Sequence, residues 1–246
     1  KDDRSGGNQA MTGKDGLPSN KKTGSGVDAF LRQVAAAPRR TPSNEGGRLL
    51  FAMDATASRQ PTWDRAARLQ GEMFEVAREL GGLDIQLGFF RGFGEFKVSP
   101  WTADAGALLK LMTSVNCLAG ETQISKIFKH ARNETSKRKI DALVYVGDSF
   151  EEDVDEVGKI AGELGLLGLP AFMFHEGEDP LAGFAFQQFA KLSGGGYCRF
   201  DAASADALRE LLRAVAVFAA GGRRALENLA TNAGGEVKLL ADQMKT

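Results

Sequence analysis

Residues 47–58 read Gly-Arg-Leu-Leu-Phe-Ala-Met-Asp-Ala-Thr-Ala-Ser, an apolar run that ends in an Asp followed by two hydroxyls spaced two apart. A run of this kind, apolar without alternation, reads as a strand buried on both faces, here emptying into a small oxygen-rich loop. Side chains at every second position of an extended segment point the same way. Asp54, Thr56 and Ser58 can therefore converge on one point. Carboxylate and hydroxyl oxygens suit a hard cation such as Mg²⁺. Local capping is the competing reading. Ser, Thr and Asp all favour helix starts, and a helix is expected from about Pro61, so the loop alone leaves both readings open.

Two later segments bear on that choice. Thr122 opens an expected helix after Gly120, and Asp148 ends a second apolar strand, Ala142-Leu143-Val144-Tyr145-Val146-Gly147. The set Asp54-x-Thr56-x-Ser58, then Thr122, then Asp148 resembles the metal-ion-dependent adhesion site (MIDAS) of von Willebrand factor A (VWA) domains, over about residues 47 to 219. Thr56 stands where that family usually has Ser, which keeps a hydroxyl. Ser149 stands where Gly is common, which bears on the loop's conformation and leaves the Asp148 carboxylate in place.

The resemblance implies a Rossmann-like, three-layer, doubly wound α/β fold, mostly parallel with one antiparallel edge strand and a strand order of 3-2-1-4-5-6. The ends of strands 47–54 and 141–148 would then lie side by side at the crevice where such sheets bind ligands. It also implies that Thr56, Ser58 and Thr122 ligate the metal through hydroxyls, with Asp54 and Asp148 acting largely through bound water. Neutral hydroxyl ligands leave the cation electrophilic, able to take an Asp or Glu of a protein partner as its last ligand. Mg²⁺ is the expected ion, with Mn²⁺ or Ca²⁺ as alternatives, because hydroxyl-rich loops discriminate poorly among them.

Composition is compatible with this. A chain of 246 residues with 43% hydrophobic content can bury one substantial core. The net charge of −1 gives no argument for nucleic acid, and Cys117 and Cys198 offer neither a disulfide framework nor paired metal-ligand spacing. No run approaches the roughly 18 apolar residues of a membrane span. No charged-then-apolar signal opens the chain, so a cytoplasmic location is the expectation. The chain starts at Lys1 rather than Met, which leaves room for an upstream segment.

Four stretches are expected. Residues 1–26 are Gly-, Ser-, Asn- and Lys-rich and read as disordered. Residues 27–46 hold a short amphipathic helix, with Val27, Phe30, Leu31 and Val34 on one stripe, and a linker. Packing on the domain and docking to a partner both account for that stripe. Residues 47–220 form the A-domain, and 221–246 a tail with helix-like spacing interrupted at Gly234-Gly235.

Within the domain, helices are expected near 61–80, 103–115 and from Thr122, then in the segments carrying Val154 to Leu164, Leu181 to Leu192 and Leu208 to Phe218. Arg91-Gly92-Phe93-Gly94 is short enough to be a hairpin, and the alternating run Glu95 to Ser99 marks an exposed edge strand. His130 falls on the outer side of its helix and reads as a solvated bystander. Arg59, Gln60 and Trp63 read as a partner-facing rim, although Trp63 also fits the core stripe. The acids from Glu151 to Glu156 suit the first turn of a helix, with Ser149 and Glu152 at capping-box spacing. Alternatively, they set selectivity near the metal by repelling anions.

The function expected is a non-enzymatic, Mg²⁺-dependent protein-binding module, since the loop supplies no positioned nucleophile or His base. Intracellular bacterial relatives of this kind often work beside an AAA-type ATPase in complex assembly or metal insertion, which makes such an ATPase an expected partner by analogy. Two alternatives stand beside it. A phosphohydrolase of the haloacid dehalogenase type also places an Asp loop after its first strand, but needs a second Asp where this chain has Thr56. A vestigial, metal-free A-domain scaffold is the other. Dinucleotide binding is disfavoured, because Gly92-Phe93-Gly94 sits in a hairpin rather than opening a helix.

Overall fold

Strand β1 (Gly47–Asp54) is buried along its whole length, as an apolar strand must be when both of its faces are covered. Its side chains divide by parity: Leu49, Phe51 and Met53 enter one core, and Leu50 and Ala52 the other. The computed structural model describes residues 47–60, 83–200 and 212–219. The expected tails 1–26 and 221–246, the stripe and linker 27–46, and the helix expected over 61–80 with Trp63 lie outside the described residues.

Around β1 stand β2 (Leu83–Arg91), β3 (Glu95–Val98), β4 (Ala142–Gly147), β5 (Ala171–Glu176) and β6 (Tyr197–Phe200). They are hydrogen-bonded in the order β3-β2-β1-β4-β5-β6, and every pairing is parallel except that of β2 with β3. This is the Rossmann-like strand order that the resemblance implies, with the antiparallel edge that the Glu95 to Ser99 alternation marks. The edge is a hairpin in register Arg91↔Glu95. Its turn takes Gly92 to φ 58° and Gly94 to φ 108°, backbone angles that only glycine adopts readily.

Helices α1 (Ala105–Thr113), α2 (Ile124–Lys137), α3 (Val154–Leu166) and α4 (Pro180–Ser193) follow, with α5 over 212–219. Leu108 and Met112 of α1 pack with Leu212, Val215 and Phe218 of α5 on the Phe51 face. Phe128 of α2, Val157 and Leu164 of α3, and Phe189 of α4 pack on the Leu50 face. The helix expected over Leu181 to Leu192 buries Ala185 and Phe189 but not its two terminal leucines. Ala182, Ala185, Phe186 and Phe189 face the core, while Leu181 and Leu192 are 54% and 47% exposed. The small residues Ala182 and Gly183 are buried on the face that meets the sheet. No helix among the described residues is long and apolar enough to cross a membrane.

What positions a site is the β1–β4 pairing. The two strands run parallel with Met53 opposite Val146, so their carboxyl ends emerge together. From β1 the order continues to β2 on one side and to β4 on the other. That reversal makes a crevice at the carboxyl edge of an open parallel sheet.

Candidate metal centre

Asp54, the last residue of β1, is completely buried. The backbone N–H of Thr56 donates to Asp54 Oδ1 at 2.7 Å, while Asp54 Oδ2 has no hydrogen-bond partner among the described residues. The Thr56 and Ser58 hydroxyls lie 3.1 Å apart. Thr56 precedes a 3₁₀ turn, Ala57–Arg59, without capping it through its side chain. The helix expected from Pro61, whose start the capping reading concerned, lies outside the described residues. The loop is held by its neighbours: Ala55 N–H donates to the Phe90 carbonyl at 3.0 Å, and Leu118 N–H donates to the Ala55 carbonyl at 3.1 Å.

Thr122 arrives from a different direction. Gly120 packs so closely on the hairpin tip that a Cβ there would fall 2.1 Å from the Gly92 carbonyl oxygen, and Gln123 Nε2 donates to that same oxygen at 3.1 Å. Thr122 N–H donates to the Glu151 carboxylate at 3.0 Å, and Glu151 N–H donates back to Thr122 Oγ1 at 2.9 Å. The helix itself begins at Ile124, two residues later than expected. Asp148, which follows β4 directly, is half-buried, and its Oδ1 is buried with no partner among the described residues. All five expected residues, Asp54, Thr56, Ser58, Thr122 and Asp148, thus stand at the carboxyl edge, in loops that follow adjacent strands or are bonded to them.

The acidic run behaves differently from its expected capping box. Asp153, not Ser149, caps α3, its side chain accepting from the Asp155 and Glu156 N–H groups. Glu152 reaches across to α2, where its carboxylate accepts from the N–H groups of Ile124 and, at 3.0 Å, Ser125. A carboxylate at a helix N-terminus satisfies orphan donors and complements the helix dipole whether or not it belongs to that helix. His130 is likewise corrected. It is half-buried, with Nε2 2.7 Å from Gln86 Oε1 and its ring edge-on to Phe96, because the β2–β3 edge extends beneath that side of α2.

Charge is concentrated here. Burial raises the Asp54 carboxyl to about 6, and the Asp148 carboxylate adds to the rise, while the Thr56 hydrogen bonds and the Arg59 charge oppose it. The Tyr145 hydroxyl lies under the site, 2.4 Å from where a Cβ on Gly147 would stand. It has no hydrogen-bond partner among the described residues, and burial pushes its pKa up.

Arg59 is not the rim residue expected. It is 1% exposed and ion-paired with Glu176 at the end of β5. Burial lowers its pKa, and Asp148 and then Asp54 are the first charges opposing that shift. Glu176 is the participant that sequence reasoning missed, and Arg59, Glu151 and Glu152 take roles other than those expected. The available signal was an Arg set directly inside a loop expected to face two Asp side chains.

Among the described residues no group of three or more His, Cys, Asp or Glu side chains is placed to hold a metal. A cation here would depend on hydroxyls. Two buried carboxylate oxygens without hydrogen-bond partners among the described residues, beside hydroxyls, form an oxygen donor set that fits a hard cation.

No family profile and no curated protein matches the sequence. Solved structures do match. The VWA domain of SpRpn10 aligns at TM-score 0.56 with 14% identity, covering 66% of this chain and 94% of that one. The vWF domain of the type V pili tip protein Mfa5 from Porphyromonas gingivalis aligns at TM-score 0.56 with 10% identity, covering 72% and 97%. A mutant of the PilB minor pilin from Streptococcus sanguinis aligns at 0.57 with 9% identity, covering 79% of this chain and 65% of that one. At these identities the likeness is one of fold: the chain has the fold of von Willebrand factor A domains.

Proposed function

We propose that the chain is a non-enzymatic, protein-binding A-domain whose carboxyl-edge site holds a divalent cation, Mg²⁺ first, completed by an Asp or Glu of a protein partner. The observation that carries this is the pair of buried carboxylate oxygens, Asp54 Oδ2 and Asp148 Oδ1, without hydrogen-bond partners among the described residues. A buried acceptor left without a donor is costly. A cation on these oxygens offsets that cost. Thr56, Ser58 and Thr122 would supply hydroxyl ligands, and the hydrogen bond from Thr56 N–H would keep Asp54 in its orientation. The bound ion would act as a Lewis acid toward the partner's carboxylate. An AAA-type ATPase remains the partner suggested by analogy, and a cytoplasmic location is proposed with it.

A second reading, the metal-free scaffold, is favoured by one observation: a buried guanidinium, Arg59, already lies beside these acids. Metal analysis of the purified chain, followed by calorimetric titration with Mg²⁺ before and after chelation, separates the two. Binding that Asp54→Ala abolishes supports the metal reading. A folded parent that gives no heat with Mg²⁺, Mn²⁺ or Ca²⁺ leaves the scaffold.

A further inference from the structure

Arg59 starts in the turn after β1, yet its guanidinium ends on Glu176, the last residue of β5. Strand β4 lies between these two strands. Neighbouring strands are about 4.8 Å apart, so the turn and the Arg59 side chain together span the end of β4, the point where Asp148 leaves the sheet. A guanidinium carries more donors than one carboxylate can accept, and it keeps its charge inside proteins. Two acids in a buried crevice repel each other unless a positive charge is near. Arg59 supplies one that is covalently attached.

We propose that Arg59 is the built-in counter-cation of the Asp54–Asp148 pair, neutralising it in the metal-free state and competing there with a divalent cation. The inference rests on the metal reading above. An entering dication meets a fixed positive charge in a poorly screened setting, which weakens its binding. The carboxylate of an acidic partner offsets that excess charge, so cation and partner bind with positive coupling. Glu176 limits the competition by drawing the guanidinium toward β5.

The test is calorimetric titration of the full chain with Mg²⁺ and Mn²⁺ alone, in the parent and in variants whose effects have opposite sign. In Arg59→Gln/Glu176→Gln the competing charge is gone and no buried Glu is left unpaired, and both ions are expected to bind about tenfold tighter. In Glu176→Gln the guanidinium is released toward the two Asp side chains, and binding is expected to weaken at least about threefold. Arg59→Lys, which keeps the charge, is expected to stay near the parent. Thermal melts in chelator establish that each variant folds, and Glu176→Gln alone carries the test if the double variant does not. Equal affinity in the parent and both charge variants, or the reverse order, overturns the inference while leaving the metal reading standing. If neither the parent nor any variant binds either ion, both fall.

Discussion

Thr122 and Glu151 bind each other twice, Thr122 N–H donating to the Glu151 carboxylate at 3.0 Å and Glu151 N–H donating to Thr122 Oγ1 at 2.9 Å. This reciprocal pair ties the start of α2 to the loop after β4. It is the reason that a hydroxyl from one connection stands beside a carboxylate from another. The same loop caps α2 through Glu152. The candidate centre is therefore built by cross-loop hydrogen bonds as much as by strand ends.

Asp54→Ala is expected to abolish Mg²⁺ binding while changing the stability of the metal-free protein by no more than about 1 kcal/mol, since it removes a buried carboxylate that burial and Asp148 already disfavour. Thr56→Ala should weaken the metal less, because water can replace one neutral ligand. Mg²⁺ titration by calorimetry and a melt in chelator check both. Parent-like metal binding in the two variants would remove the metal reading.

Glu152→Ala removes the acceptor for the Ile124 and Ser125 N–H groups. A lost helix cap costs about 1 kcal/mol, with a range of roughly 0.5–2. Denaturant unfolding should show a loss of this size, and hydrogen exchange should accelerate at these two amides while those of α3, capped by its own Asp153, stay protected.

Two glycines are expected to respond in opposite directions. At Gly120 a Cβ would fall 2.1 Å from the Gly92 carbonyl oxygen, a backbone atom that cannot move aside cheaply. Gly120→Ala should destabilise by about 1–3 kcal/mol, the range for overpacking, and loosen the loop carrying Thr122. Gly162, inside α3, has nothing within 4 Å of a Cβ. Gly162→Ala should stabilise by about 0.5–1 kcal/mol, because alanine loses less backbone entropy in a helix. Paired urea titrations would show the contrast.

His130 makes the pH dependence testable away from the candidate ligands. Burial lowers its pKa from the ordinary 6.5, with the Glu134 and Lys137 charges as smaller and opposed influences. The folded state thus binds its proton less readily than the unfolded one. The stability it contributes is full above about pH 6.5 and is lost as pH falls through the lower folded value. Melts taken from pH 7.5 downward should show less acid destabilisation in His130→Gln than in the parent. Identical slopes would mean that the ring adapts to its charge.

The local chemistry of the chain determined a great deal. The buried apolar run of β1, the glycine turn between Arg91 and Glu95, and the alternation of strands with amphipathic helices led to a mostly parallel sheet with an antiparallel edge, while its strand order came from the resemblance to A-domains. Each of these signals is carried by residues close together in sequence, where periodicity and turn chemistry act. Asp54, Thr56, Ser58, Thr122 and Asp148 were legible one by one as strand ends or expected helix starts, and as a set only through the resemblance to A-domains. Only the tertiary structure decided the rest. Arg59 turns inward because Glu176 and Asp148, both remote in sequence, sit at the same edge as Asp54 at the end of the preceding strand. Glu152 caps α2 rather than its own helix, and His130 finds Gln86 on β2. Leu181 and Leu192 face out because the sheet meets the side of α4 that carries Ala182, Ala185, Phe186 and Phe189. Periodicity records which face of an element is apolar, whereas the partner of a polar or charged side chain depends on which distant segment the fold lays against it.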